Sequence, residues 1–169
     1  MNLTLSVVFM SEKIMNELQK IIVVGAGAAG LSCALNCADF AEVILLADKD
    51  LEDSSTWYAQ GGIASALSRS DNNHKHVDDT VKAGKGLCNI KVVDQIIKKS
   101  QVAVEWLSSL GVNFNKNKDQ DLFLKLEAGH SQARIVHVED RIGLYVSQAL
   151  IDKVKTHPNI NVLTKHKVI

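Results

Sequence analysis

The sequence predicts an α/β domain built on a parallel sheet. Three observations carry that expectation: the β-branched run Ile21-Ile22-Val23-Val24, the glycine-rich turn Gly25-Ala26-Gly27-Ala28-Ala29-Gly30 directly after it, and an apolar helical stripe beyond. A continuous β-branched run suits a strand buried on both faces of a parallel sheet. Leu31, Ala34, Leu35 and Ala38 then recur at i, i+3, i+4 and i+7, which is one face of a helix. Glu42-Val43-Ile44-Leu45-Leu46-Ala47 reads as a second strand. Strand, turn, helix and strand make a βαβ unit, whose crossover is right-handed by steric preference.

Beyond it, residues 48–62 read as a loop rich in Ser, Asp and Gly. His76 to Ala83 suits a short helix that ends near Gly84. Asn89 is an N-cap for a longer helix, with Val93, Ile96, Ile97, Val104 and Leu107 facing inward and Gly111 just past its end. Val112 to Leu126 suits a hairpin around the polar turn Asn115–Asp121. Leu144 to Thr156 is expected to be helical, stopped by Pro158, and Ile160 to Leu163 returns to strand. No repeat and no flexible linker interrupts the pattern.

Composition narrows the function classes. A chain of 169 residues is the length of one ordinary domain. Lys+Arg and Asp+Glu both count 19, so the formal net charge is 19 − 19 = 0, which argues against a strongly basic nucleic-acid binder and an acidic tail. With 46% hydrophobic residues and one proline, the chain is core-forming, not low in complexity. Three cysteines make no disulfide framework, and an odd count fits a reducing compartment, so a cytoplasmic location is expected. Met1 to Met10 is apolar but has no basic lead-in or small-residue cleavage site, and no stretch reaches the roughly 18 apolar residues of a membrane span. Met10 and Met15 allow a later translation start, so residues 1–18 are read as a dispensable extension.

The turn has the GxGxxG spacing in the context that gives it meaning, after a buried strand and before a helix. Gly25 serves the tight turn, Gly27 lets the backbone approach a pyrophosphate, and Gly30 lets helix and strand pack closely. The N–H groups at the helix start and the positive end of its dipole would then hold the phosphates. Asp48 lies 18 residues beyond Gly30 (48 − 30), close to the usual spacing of a ribose-binding acid. It has two readings, a ribose hydroxyl acceptor or a solvated loop residue, and Ala47 before it can accept nothing from its side chain.

A second constellation follows, Ser54-Ser55-Thr56-Trp57-Tyr58-Ala59-Gln60-Gly61-Gly62-Ile63-Ala64, whose hydroxyls, amide and paired glycines suit a loop around an extended polar ligand. Together with the glycine turn, this run resembles the flavoprotein family of the L-aspartate oxidases and the fumarate reductase and succinate dehydrogenase flavoprotein subunits. His76-Val77-Asp78-Asp79-Thr80, Ala83-Gly84, Leu87-Cys88, Trp106-Leu107, Gly111-Val112, Glu127-Ala128-Gly129-His130-Ser131, Arg134-Ile135-Val136-His137 and His157-Pro158-Asn159-Ile160 keep the register. The resemblance covers residues 20–169 and lies nearest the oxidase branch. It implies a Rossmann-like FAD-binding domain, of which residues 19–169 are the N-terminal part, the capping and C-terminal helical domains of the family falling after Ile169.

The resemblance also implies site residues. Gly25, Ala26, Gly27, Ala28, Ala29 and Gly30 would hold the pyrophosphate, and Asp48 falls at a ribose contact. Ser55, Thr56, Trp57, Tyr58, Ala59, Gln60, Gly61 and Gly62 would line the flavin, and Val168 would pass near the adenine. Ser55 stands where the membrane-associated relatives carry a histidine bonded to the flavin, so FAD would be held non-covalently. Glu127 is the substrate-facing carboxylate, a sensible neighbour for the ammonium group of an amino acid. The implied reaction is oxidation of L-aspartate to iminoaspartate by hydride transfer from Cα to the flavin. Oxygen or fumarate would be the acceptor and quinolinate synthase the next enzyme toward NAD. The carboxylate-clamping residues of the family fall after Ile169, so this chain alone is expected to turn over no aspartate. A soluble fumarate reductase-like flavoprotein and a non-catalytic nucleotide-binding remnant are the alternatives. Leu126, Ala128 and Asp140-Arg141-Ile142-Gly143 depart from the family pattern, which has arginine, glycine and an Asp-Ala-Thr-Gly turn there.

The other polar residues have plainer readings. Cys33 and Cys37 sit one helical turn apart but find no third ligand in the sequence nearby, so buried small residues are preferred to a metal pair. His130 and His137 are read as positioning or structural in preference to catalytic. Arg134 has two readings, a phosphate or substrate partner or a surface ion pair. Trp57 and Tyr58 suit flavin stacking and core packing equally. Lys98-Lys99 and Lys165-His166-Lys167 are read as solvated faces.

Overall fold

A computed structural model describes residues 19–169, so the expected extension over residues 1–18 lies outside the described residues. The chain divides into two compact units, one running to Ser54 and resuming over Leu150–Ile169, the other Ser55–Ala149.

The first unit holds a three-stranded sheet in the order β1-β2-β5, formed by β1 (Gln19–Val24), β2 (Ala41–Leu46) and β5 (Ile160–Leu163). Both pairings are parallel, with Val24 opposite Leu46 and Leu46 opposite Leu163, so the three strands end together. The helix α1 (Ala28–Cys37) connects β1 to β2 and packs on both. Its stripe is as the periodicity predicts: Leu31, Ala34 and Ala38 are wholly buried, as are Ala41, Val43 and Leu45 of the sheet. The Asn159 side-chain amide donates to the Ala38 carbonyl at 2.9 Å, tying the start of β5 to the end of α1.

One expectation fails here. The β1 run is not buried on both faces: Val23 is buried, but Ile22 and Val24 are each 62% exposed. The strand lies at an edge of the sheet and its side chains alternate faces, so α1 covers only one set. Unbroken apolarity reports that both faces tolerate apolar groups, not that both are covered.

The second unit contains the helices α2 (Asn73–Ala83) and α3 (Ile90–Ser109), which pack together, and the start of α4 (Ile142–Thr156). Asn72 caps α2 by accepting from the Lys75 N–H at 3.0 Å, so the helix begins earlier than the apolar pattern suggests. Asn89 caps α3 as predicted, accepting from the Val92 N–H at 3.3 Å. Ile97, Val104 and Leu107 are buried, but Ile96 is 65% exposed, because neighbouring positions lie about 100° apart on a helix and only one faces α2. The expected hairpin shrinks to a single antiparallel bridge, Lys116 with Leu122, closed by the Asn117 carboxamide oxygen accepting from the Asp119 and Asp121 N–H groups at 2.9 Å. Two short strands, β3 (Ile63–Ala64) and β4 (Ile135–Val136), pair antiparallel where the sequence offers no periodicity to read.

Candidate functional site

In the first unit the glycine turn leaves the end of β1 and enters α1. Gly25 has φ +104°, a region that L side chains rarely adopt, and its N–H donates to the Leu46 carbonyl at 2.8 Å. That bond joins the turn to the end of β2. A Cβ at Gly30 would overlap the Gly25 carbonyl oxygen, so the third glycine is required for the helix to approach the turn, as the sequence reading expects. Gly27 is the N-cap residue and offers no side-chain cap, and the first turn of α1 carries no acidic residue. The positive end of the helix dipole would favour a ligand's negative charge there.

Asp48 is exposed and follows buried Ala47 at the same carboxyl end of the sheet, where parallel α/β sheets bind their ligands. The segment after β5 returns to this end: the His166 N–H donates to the Ala47 carbonyl at 2.8 Å, and Lys165 pairs with Asp50 at 3.4 Å. Val168, 56% exposed, lies two residues further on. The structure thus gathers the glycine turn, Asp48 and the 164–168 segment at one end of one unit.

In the second unit residues 55–62 form a tight loop. The Ala59 N–H donates to the Thr56 carbonyl at 3.0 Å, and the Ala59 carbonyl accepts from the Gly143 N–H at 3.1 Å. A Cβ at Gly143 would overlap the Thr56 and Ala59 carbonyl oxygens, and one at Gly62 would overlap Ile135 and the Val136 carbonyl. Two glycines thus hold the loop against the start of α4 and against β4. Ser55, Tyr58, Ala59, Gln60 and Gly61 are exposed, so the core-packing reading of Tyr58 falls; Trp57 is half-buried.

Glu127 is exposed and begins a turn in which its carbonyl accepts from the His130 N–H at 3.2 Å. The far end of this turn is firmly held. Asp79 Oδ2 accepts from both the N–H and the hydroxyl of Ser131 at 2.8 Å. Beside the turn lies a cavity of about 360 Å³ bordered by Asp79, Lys82, Gly129, His130 and Ser131.

Arg134 forms an ion pair, as one of its two sequence readings has it, but in the interior and not at the surface. Its side chain is completely buried. Nε and Nη2 donate to the two carboxylate oxygens of buried Asp71 at 2.8 and 2.9 Å, a bidentate pair, while Nη1 donates to Asp79 at 2.6 Å and to His130 Nδ1 at 3.2 Å. One guanidinium therefore joins the residue before the α2 cap, the middle of α2 and the turn bearing Glu127. The Ser131 N–H, followed by its hydroxyl and Arg134, outweighs burial and holds Asp79 down to about 2. Burial alone would raise Asp71, but Arg134 and the Asn72 N–H bring it below the usual carboxylate range. Asp71 in turn raises Arg134.

Two histidines are buried with unsatisfied nitrogens. His76 Nδ1 and both ring nitrogens of His137 have no hydrogen-bond partner among the described residues, and His137 packs edge-on to Phe123 with ring centroids 5.6 Å apart. Burial pushes both below the usual imidazole value, aided by the Arg134 charge at His76 and the Lys125 charge at His137. The unfolded chain then binds protons that the folded chain refuses. Stability is full above the ordinary 6.5 and falls as pH drops below it toward the depressed folded values. The urea midpoint is expected to be lower at about pH 5 than at about pH 7.5, with a smaller drop for His137→Phe. An unchanged midpoint would contradict this assignment.

Among the described residues no three His, Cys, Asp or Glu side chains form a metal-holding group, and no helix is long and apolar enough to cross a membrane.

The FAD binding domain family model matches residues 20–169. The L-aspartate oxidase of Vibrio cholerae is 40% identical over 154 residues, covering 88% of this chain and 29% of that protein. L-aspartate oxidase 1 of Ralstonia nicotianae is 40% identical over 151 residues, covering 88% of this chain and 28% of its own length. Among solved structures, the E. coli quinol fumarate reductase FrdA superposes with a TM-score of 0.82 at 25% identity, over 88% of this chain and 26% of that one. A quinol-fumarate reductase with menaquinol molecules gives 0.84 at 26% identity, over 89% and 27% of the two chains. The chain therefore spans less than a third of the length of the curated relatives it matches.

Proposed function

Because the chain belongs to the FAD-binding domain family, with FAD as its cofactor, we propose that it is the dinucleotide-holding N-terminal portion of an L-aspartate oxidase. The observation that carries this reading is the glycine turn. Its N-cap glycine has no side chain, the first turn of its helix holds no acidic residue, and its third glycine has no room for a Cβ. An anionic pyrophosphate fits that end of α1 by charge and by the backbone's close approach.

Within this reading, Gly25 to Gly30 hold the pyrophosphate and Asp48 accepts from ribose hydroxyls. Residues 55–62 would line the flavin, and Val168 would pass near the adenine. Ser55 makes no covalent link, so FAD is held by non-covalent contacts alone. Glu127 faces the substrate ammonium group and gives an amino acid an advantage over a plain dicarboxylate. The bound FAD supplies the acceptor for the hydride lost from the substrate's Cα. Oxygen or fumarate is the terminal acceptor, and the product feeds quinolinate synthase in cytoplasmic NAD synthesis. We assign turnover to a protein of the relatives' length and cofactor holding to this segment. A fumarate reductase-like reading draws on the solved structures, and a Glu127→Gln change in a full-length protein separates the two: it weakens aspartate use and spares a plain dicarboxylate.

The test at the level of this chain is a visible spectrum after mixing with FAD and desalting. Retained, perturbed flavin bands near one equivalent are expected, without peroxide on addition of L-aspartate. A colourless protein would contradict the cofactor assignment, and peroxide would contradict the assignment of turnover.

A further inference from the structure

The cavity of about 360 Å³ bordered by Asp79, Lys82, Lys85, Gly129, His130 and Ser131 lies wholly within the second unit and uses no residue assigned to FAD. Its volume is in the range of small-molecule sites. The negative groups around it are already engaged. Asp79 Oδ2 accepts from the Ser131 N–H, the Ser131 hydroxyl and Arg134 Nη1. The Thr80 carbonyl, close to the end of α2, accepts from the Gly84 N–H at 2.9 Å and from the Cys88 thiol at 3.7 Å. The positive groups are not engaged. Lys82 and Lys85 are exposed, and neither pairs with a carboxylate among the described residues. His130 adds a third donor. Its Nδ1 lies 3.2 Å from Arg134 Nη1, and a guanidinium can only donate, so Nδ1 accepts and the ring proton sits on Nε2.

We propose that this cavity binds the phosphoryl group of a small organic molecule, with the Lys82 and Lys85 ammonium groups neutralising its charge and the His130 Nε2–H donating to one of its oxygens. Charge-assisted donors from two separate segments suit a tetrahedral oxyanion. The volume left over accommodates the organic part. A group bound there bridges the end of α2 to the turn that begins at Glu127, so occupancy stabilises the folded chain.

The test titrates the 15N-labelled 169-residue chain with glycerol 3-phosphate, and separately with inorganic phosphate, at constant ionic strength. Saturable amide shifts are expected at residues 82–85 and 129–131, with a rise in the thermal midpoint. Lys82→Gln and Lys85→Gln should each weaken binding by roughly 10-fold. Lys91→Gln, an exposed lysine of α3 outside the cavity, should leave it unchanged. Tighter binding of glycerol 3-phosphate assigns the site to a phosphate ester, and tighter binding of inorganic phosphate assigns it to the free ion. Shifts confined to residues 25–30 would move the phosphoryl group to the glycine turn and overturn the proposal without touching the FAD reading. Equal weakening by Lys91→Gln would reduce the effect to diffuse charge attraction and overturn it too. The same holds for a response that does not saturate, or for a His130 ring whose proton sits on Nδ1.

Discussion

Replacing Arg134 with methionine is expected to lower the unfolding free energy of the chain by about 3–5 kcal/mol, the usual cost of breaking a buried ion pair from one side. The guanidinium is wholly buried and gives Asp71 two hydrogen bonds and Asp79 a third. Removing it leaves the Asp71 carboxylate in the interior without its counter-charge. Protonating Asp71 relieves part of that cost, so the loss should be smaller at low pH than at neutral pH. A second variant isolates the cause. Adding Asp71→Leu to Arg134→Met removes the orphaned charge and should restore part of the lost stability. Urea unfolding measures all three chains. A loss below about 1 kcal/mol for Arg134→Met would mean that the pair behaves like one at the surface.

The second large effect belongs to Gly30→Ala. The added Cβ falls on the Gly25 carbonyl, which is backbone, and the Gly25 N–H is itself bonded to Leu46, so neither side yields without moving the turn. Displacing a phosphate cradle by a fraction of an ångström costs binding geometry, and a loss of FAD affinity of about 100-fold or more is expected. Gly86→Ala is the control. Gly86 has φ +89° with open space where its Cβ would go, so this substitution strains the backbone without touching the glycine turn. It should cost about 1 kcal/mol of stability and leave FAD affinity unchanged. Equal losses of affinity in the two variants would trace the effect to general destabilisation.

The elements that the sequence revealed are those whose signals are local. The β1 strand, the glycine turn, α1 and β2 follow one another within the reach of a single periodic pattern, and the Asn89 cap announces α3 by itself. What escaped is long-range. Arg134 finds Asp71 and Asp79 at separations of 63 and 55 residues, and nothing near any of the three marks the pairing. Arg134 opens the mainly apolar run Arg134-Ile135-Val136-His137-Val138, which is a signal for burial but not for its partners. The strands β3 and β4 are two residues each, too short for alternation to be seen. The exposure of Ile22, Val24 and Ile96 escaped for a related reason, since apolar patterning identifies a face without identifying what covers it. At the candidate site, the glycine turn could be read directly, while the anchoring of the Glu127 turn through Ser131 and Asp79 depends on contacts across 52 residues.

We assign the pyrophosphate of a dinucleotide to the glycine turn at the start of α1. Equilibrium dialysis of the 169-residue chain against FAD and against FMN tests it most directly. The two ligands share the isoalloxazine, but only FAD has the pyrophosphate bridge and adenosine. FAD is expected to bind about 100-fold more tightly than FMN, with ADP competing for the same site. Equal retention of FAD and FMN, indifferent to ADP, would place the binding energy on the flavin ring and contradict the assigned role of the glycine turn.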